Sequence, residues 1–279
     1  MRDSHHPVDT VPLLDHVVEG PVNGPPVALL HGFPDNYRVW DHTATVLQER
    51  GYRVVRMNLP GFEPGGALPS TTAFAHTIAR IHRTMEHTQS LGGTLIGHDW
   101  GAVFAYRLLS IHPQAASRLV TLEIGAGSRA PWLMAFVLFY QSLIIAASCL
   151  GRGLGDRLLR AFCRLLPQPR YDGALHVHAH HGWLYRQAWR EGASHGPWPF
   201  YYRNHTARWV PSPDLPVLFL YGKNGPKPLR FHTAQWRERI TRYHPESRSI
   251  ALPGAHWFFL EHPQPFLQAL GEFLPAPTP

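Results

Sequence analysis

A short stretch near residue 99 constrains the fold of this chain more than any other segment. Apolar residues lead into the pentapeptide Gly-His-Asp-Trp-Gly at 97–101, and a run compatible with a helix follows it. Glycines two residues before and two residues after a central side chain are typical of a nucleophile elbow, where a strand turns sharply into a helix. The central residue is Asp99, whose carboxylate can attack an electrophilic carbon without a base to activate it. Taken alone, the pentapeptide is also compatible with a glycine-flanked Asp in a loop.

Strands and helices alternate on both sides of this stretch. Short continuous apolar runs are typical of strands buried on both faces of a parallel sheet. We predict such strands at 27–30, 52–57, 92–96, 118–124, 215–222 and 249–252, with a weaker candidate at 11–19. Helices are predicted at 41–50, at 102–109, at 264–273 and from a Ser-Thr-Thr cap at 70–72 to residue 89. This alternation predicts an α/β fold whose chemistry gathers at the carboxyl ends of the strands.

The rhythm of strands stops between residues 125 and 211, where helical, aromatic-rich sequence takes over. We therefore predict a core in two parts, 1–124 and 212–279, with a helical cap at 125–211 inserted between them. Within the cap, Ala130 to Leu150 has no formal charge and is about as long as a membrane span. A buried cap helix needs the same composition and is favoured; a span and an interfacial membrane contact stay open.

Charge and cysteine content limit the functional classes. The chain has 279 residues and a formal net charge of +7, but its Lys and Arg residues are scattered, so no nucleic-acid partner is expected. Two cysteines, Cys149 and Cys163, are too few for a disulfide framework. Residues 1–10 contain no apolar segment of the kind found in secretory signals. These features favour a cytoplasmic protein, with peripheral membrane contact left open.

Three segments in a fixed order resemble a known family. They are His-Gly-Phe-Pro-Asp at 31–35, the pentapeptide at 97–101, and Gly-Ala-His-Trp-Phe-Phe-Leu-Glu at 254–261. Together they resemble the Asp-nucleophile branch of the α/β-hydrolase superfamily, which contains the epoxide hydrolases and the haloalkane and haloacetate dehalogenases. The resemblance implies a mostly parallel sheet with helices on both faces, an inserted helical cap, and hydrolysis without a cofactor or metal.

The resemblance also implies roles for individual residues. Asp99 would be the nucleophile, and His256 would be the base that activates water to hydrolyse the resulting ester. The backbone amides of Phe33 and Trp100 would form the oxyanion hole.

The acid that orients the histidine is where this chain departs from much of the family. An Asp commonly follows the strand equivalent to 215–222, but residues 222–228 contain no carboxylate. Related enzymes place a Glu at the end of the preceding core strand, and Glu123 occupies that position. A buried Glu is costly unless it is paired, and a histidine would pair it. The competing hypotheses are that Glu123 is only structural, or that the histidine works without an acid.

The leaving group decides between the family's reactions. Opening an epoxide requires acidic O–H donors, and the family uses two cap tyrosines. Tyr202 resembles one of them, and Tyr140 resembles the other with an offset of one residue. The haloalkane enzymes commonly have Asn where this chain has Phe33. We therefore expect an epoxide hydrolase that acts with water on a small hydrophobic epoxide. The alternatives are a dehalogenase that takes a halogenated substrate with the same Asp–His pair, and a catalytically silent protein that binds small molecules.

Four closely spaced histidines in the cap are a weaker feature. A metal site, a pocket donor and a plain cap surface are all compatible with their spacing. The surface interpretation is favoured because no recognised set of zinc ligands accompanies them. They are His176, His178, His180 and His181.

Overall fold

The protein is organised around a central sheet. The computed structural model describes residues 11–125, 131–166, 177–193, 209–225 and 230–277. Within these residues the sheet has seven strands in the order β1-β3-β2-β4-β5-β6-β7, and only β1 is antiparallel to its neighbour. The strands are β1 His16–Glu19, β2 Pro26–Leu30, β3 Arg53–Met57, β4 Gly93–His98, β5 Ala116–Leu122, β6 Val217–Gly222 and β7 Arg248–Leu252.

Helices connect most of these strands. In the described part of the chain the α-helices are α1 Asp41–Glu49, α2 Phe74–His87, α3 Trp100–Ile111, α4 Pro131–Leu150, α5 Leu154–Arg164, α6 Trp183–Ala193, α7 Ala234–Thr241, α8 Phe258–Glu261 and α9 Pro263–Gly271. Short 3-10 helices lie at Tyr37–Trp40, Pro113–Ala115 and Ala179–Gly182.

Alternate residues of one strand face two different hydrophobic cores. In β2, Ala28 and Leu30 pack with residues of α2, α3 and α7, whereas Val27 and Leu29 pack with residues of α1 and α9. This arrangement explains why residues 27–30 of β2 form a continuous apolar run rather than an alternating one, since both faces are covered. The predicted α/β-hydrolase architecture, a mostly parallel sheet with helices on both faces, is confirmed.

Three helices, α4 to α6, follow one another between β5 and β6, which are neighbours in the sheet. We call them the helical insertion. The insertion contacts the core directly: the Trp183 indole donates to the carbonyl oxygen of Pro60 at 3.0 Å. It also meets the start of α2, where the amide of Phe74 donates to Glu191 Oε1 at 3.3 Å. The helices lie inside the range predicted as a cap, and the proposed boundaries at 125 and 211 stay a prediction.

α4 is a single helix of 20 residues, as its uninterrupted apolar sequence predicts. By length and composition it could cross a membrane. One side of it, however, is buried against the protein, through Tyr140, Gln141, Ile144 and Ala147. That side faces the region above the elbow, as described next.

Candidate active site

Asp99 lies between β4 and α3 in a conformation that few non-glycine residues adopt. Its φ is 51° and its ψ is −118°, so the local strain must be offset by the surrounding packing. Glycines allow that packing. A Cβ on Gly101 would come within 2.3 Å of the Leu30 carbonyl oxygen, and a Cβ on Gly32 within 2.3 Å of Asp99 Cβ. The predicted elbow therefore exists, and it is in close contact with the end of β2 and the loop that follows.

Two backbone amides support the Asp99 carboxylate. The Phe33 amide donates to Asp99 Oδ1 at 2.8 Å, and both this amide and that of Trp100 favour the ionised form. Burial outweighs them and raises the pKa of Asp99 to about 6. The carboxylate is thus largely ionised at neutral pH, and it is poorly solvated. Both properties favour a nucleophile.

His256 lies on the other side of the carboxylate. Its Nε2 is 3.8 Å from Asp99 Oδ2, which is longer than a hydrogen bond. Burial lowers the pKa of His256 to about 4, so the imidazole is neutral near pH 7 and able to accept a proton. The structure therefore places His256 where the sequence predicts a base.

The backbone around His256 is fixed by residues of the other two motifs. His98 Nε2 is 3.0 Å from the His256 carbonyl oxygen and donates to it. The Trp257 indole donates to Asp35 Oδ2 at 3.0 Å. Asp35 and His98 are fully buried. The three motifs are thus joined by hydrogen bonds, although only their most prominent residues were predicted to lie together.

Glu123 lies directly after β5, with a φ of 68°. Its Oε2 is 3.9 Å from His256 Nδ1, and its Oε1 accepts from the Gly222 amide at 2.5 Å. Burial raises the pKa of Glu123 to about 8, while the Gly222 amide and the charge of Arg230 lower it. The structure therefore brings Glu123 to the predicted side of the histidine. It also shows that the amide at the end of β6, where the family's Asp is missing, holds the Glu.

Two buried tyrosines lie above Asp99. Tyr140 of α4 is one of the predicted donors, and its ring meets the ring of Tyr185 of α6 edge-on at 6.3 Å. Tyr185 also meets the rings of Phe33 at 5.2 Å and Trp100 at 5.3 Å edge-on. Burial, followed among other causes by the charge of Asp99, raises the pKa of both phenols. Both therefore stay protonated at neutral pH and can donate.

Tyr185 was not singled out from the sequence, because one tyrosine in an aromatic-rich segment carries no local signal. The other predicted donor, Tyr202, lies outside the described residues.

Two histidines of the helical insertion link it to the loop that contains Gly61. The side chains of His180 and His181 both approach the Gly61 carbonyl oxygen, at 2.9 and 3.1 Å. His178 contacts the carboxylate of Asp156, which also accepts from the Ala179 amide. Among the residues described, no group of three or more His, Cys, Asp or Glu side chains could hold a metal. His176 lies outside them.

Comparison with known proteins agrees with this architecture. A family model described as the alpha/beta hydrolase fold matches residues 25–148, which include the elbow and the loop that carries Phe33. The chain has the α/β-hydrolase fold.

The proteins that this chain resembles in sequence include named epoxide hydrolases. It is 32% identical over 104 residues to epoxide hydrolase 2 of Siraitia grosvenorii, covering 37% of this chain and 33% of the relative, so the match spans about a third of that protein. It is 28% identical to epoxide hydrolase A of Mycobacterium tuberculosis, over 96% of each chain. A crystal structure of a candidate epoxide hydrolase from Klebsiella pneumoniae matches with a TM-score of 0.66 and 23% identity, over 92% of each chain. The structural match supports the fold alone.

Proposed function

We propose that this hydrolase opens a hydrophobic epoxide to a diol. The observation that carries the proposal is the buried Asp99 carboxylate, held by the Phe33 amide and lying below two protonated phenols. A carboxylate nucleophile suits attack on carbon, and buried phenols suit protonation of the alkoxide that leaves. The relatives that are named epoxide hydrolases support the same reaction.

The reaction proceeds in two steps. In the first, Asp99 Oδ2 forms a bond to one oxirane carbon, the C–O bond of that carbon breaks, and a phenol gives its proton to the ring oxygen. Oδ1 stays on the Phe33 amide and becomes the carbonyl oxygen of the ester. We assign the proton donation to Tyr140, with Tyr185 as the second phenol close to Asp99; Tyr202 stays a prediction.

In the second step, His256 Nε2 takes a proton from a water molecule, which attacks the ester carbonyl carbon. The Phe33 and Trp100 amides stabilise the negative oxygen of the tetrahedral species. On collapse, the leaving alkoxide oxygen takes the proton of the hydroxyl group that was added, which releases the diol and restores the Asp99 carboxylate, and the proton on His256 returns to the phenolate. The sum is one epoxide and one water converted to one diol. Glu123 orients the imidazole, and the imidazolium that forms favours the ionised form of the Glu123 carboxyl group, which then offsets the positive charge.

Single-turnover labelling tests the ester. Excess enzyme is mixed with styrene oxide in heavy-oxygen water, and the Asp99 peptide and the diol are analysed by mass spectrometry. We expect label in the Asp99 carboxylate and none in the first diol, because water attacks the carbonyl carbon. Label in the first diol with none in Asp99 would show direct attack of water and refute the nucleophile. The His256→Gln variant should accumulate the ester, visible as a mass increase equal to one substrate.

A parallel reaction with a 1-haloalkane distinguishes the dehalogenase. Halide release without epoxide turnover would replace our proposal, since both reactions use Asp99 and His256. No ester with either substrate would favour a silent binding protein.

Three conservative variants test the remaining roles. Glu123→Gln should accumulate the ester because the neutral side chain offsets the imidazolium charge less; full activity would remove Glu123 from the mechanism. For the phenols, Tyr140→Phe and Tyr185→Phe should each slow ester formation by about 100-fold or more, in the range of general acid catalysis. Unchanged ester formation in one of them would assign the donation to the other.

A further inference from the structure

α4 exposes an apolar stripe on the side opposite Tyr140. Its aromatic members are prominent: the exposed fraction is 55% for Trp132, 38% for Phe136 and 67% for Phe139. Exposed positions recur at the spacing of one helical face along the whole length of α4. We call this set the α4 stripe: Trp132, Ala135, Phe136, Phe139, Ser142, Ala146, Cys149 and Leu150.

The turn between α4 and α5 extends this surface. Leu150 and Leu154 are 50% and 61% exposed, and the exposed Arg152 stands between them. We call these three residues the α4–α5 tip. Single exposed apolar residues are ordinary, but a contiguous apolar patch marks a surface that binds something apolar. Of the most apolar window of α4, only 28% is buried inside the protein.

The charged residues of α4, α5 and the turn between them are mostly positive. Between residues 131 and 166 the charged residues are four arginines and one aspartate: Arg152, Arg157, Arg160, Arg164 and Asp156. The aspartate is mostly buried and accepts from the Ala179 amide and from Arg160. Arg152, Arg157 and Arg164 are exposed. Arg152 lies within the α4–α5 tip, and Arg157 and Arg164 lie on α5, which packs against α4. Exposed arginines together with an exposed apolar face are complementary to a bilayer with anionic headgroups, where arginine reaches phosphate while apolar side chains enter the acyl boundary.

We propose that the α4 stripe and the α4–α5 tip dock on a bilayer that contains anionic phospholipid, with α4 lying in the plane of the membrane. The opposite side of α4 excludes a spanning helix, because Tyr140, Gln141 and Ile144 are buried against the protein. Two copies of this chain joined through the same surface would bring their arginines together, and the repulsion opposes such a dimer.

Vesicle sedimentation with the full chain tests the docking without any turnover. Vesicles of phosphatidylcholine alone are compared with vesicles that contain phosphatidylglycerol. We expect binding to the anionic vesicles, weakened by added salt, and at least about tenfold less binding to neutral ones. The double variant Trp132→Ser/Phe139→Ser should bind at least about tenfold less to anionic vesicles, because the burial of apolar area contributes to interfacial binding. The variant Arg157→Glu/Arg164→Glu should lose the preference for anionic lipid.

Matched controls remove exposed apolar side chains elsewhere. Leu68 and Ile111 are 48% and 58% exposed and lie outside the insertion, so Leu68→Ser and Ile111→Ser should bind vesicles as the wild type does. Brominated lipid should quench tryptophan fluorescence in the wild type and quench it less in Trp132→Phe. No sedimentation with anionic vesicles, or equal sedimentation of the wild type and the stripe variant, would overturn the proposal. So would light scattering that shows a dimer dissociated by the stripe variant, which would assign the surface to a second copy.

Discussion

Replacing Asp99 by Asn should stabilise the protein, and the gain should depend on pH. The elbow holds a carboxyl group whose ionised form is poorly solvated, and burial raises its pKa to about 6. In the unfolded chain the same group titrates near its usual value of about 3.9. At a pH between these two pKa values, Asp99 is mostly ionised in the unfolded chain but mostly protonated in the folded wild type. An asparagine of nearly the same shape does not ionise.

The magnitude follows from the two pKa values. A difference of about two pKa units corresponds to about 3 kcal/mol in the free energy of unfolding. This stability is present in full below about pH 4 and is lost as the pH rises through the folded-state value of about 6. Because the unfolded group is already partly ionised at about pH 4.5, the measurable part is smaller. The stability of Asp99→Asn relative to the wild type should rise by about 2 kcal/mol between about pH 4.5 and about pH 8.

Urea unfolding at several pH values measures this difference, followed by both tryptophan fluorescence and far-UV circular dichroism. Titrations of all other groups common to both chains cancel in the comparison. Asp214→Asn is the matched control for the exchange of an Asp for an Asn, because Asp214 is exposed. A flat curve for Asp99→Asn, or one that falls with pH, would refute the claim that the elbow disfavours the charged carboxylate.

Three further predictions concern the site and its supports. The value of kcat/KM for an epoxide should fall about tenfold per pH unit below about pH 6, the pKa of Asp99; a midpoint near 8 would point to Glu123 instead. Gly32→Ala should reduce ester formation by more than about 100-fold, because its Cβ would meet Asp99 Cβ at 2.3 Å; an unchanged circular dichroism spectrum is the control. Asp156→Asn should lower the free energy of unfolding by about 1 kcal/mol, because a charged acceptor of the Ala179 amide becomes neutral; urea unfolding measures it.

Much of the fold could be predicted because a parallel sheet covered on both faces leaves a local signature. β2 and β6 contain continuous apolar runs, and the predicted and observed strands overlap at both of them. The start of α2 could not be predicted in the same way. The sequence suggested a side-chain cap at residues 70–72, but the amide of Phe74 instead donates to Glu191, 117 residues away. A contact at that separation has no local pattern.

The difference between local patterns and contacts of distant residues also explains which site residues could be predicted. Asp99, Phe33 and Trp100 could be placed because the elbow and the oxyanion loop require particular backbone geometry, and glycine reveals it in the sequence. Glu123 could be placed because it ends a buried strand, although its bond to the Gly222 amide could not be foreseen. The position of Tyr185 in the site depends on how α6 packs over Phe33 and Trp100. A tyrosine in an aromatic-rich segment carries no sequence signal for that packing.

The tight packing of glycines around Asp99 has a consequence for protein engineering. Gly32, Gly97 and Gly101 each leave no room for a methyl group, since a Cβ would lie within 2.3 to 2.6 Å of a neighbouring atom. Substitutions at these glycines should inactivate the enzyme in almost every case. The nucleophile and the loop that holds it therefore cannot be varied independently. New substrate range must therefore come from the helical insertion. A selection library that varies the surroundings of Tyr140 and Tyr185 and leaves the elbow untouched should contain the useful variants.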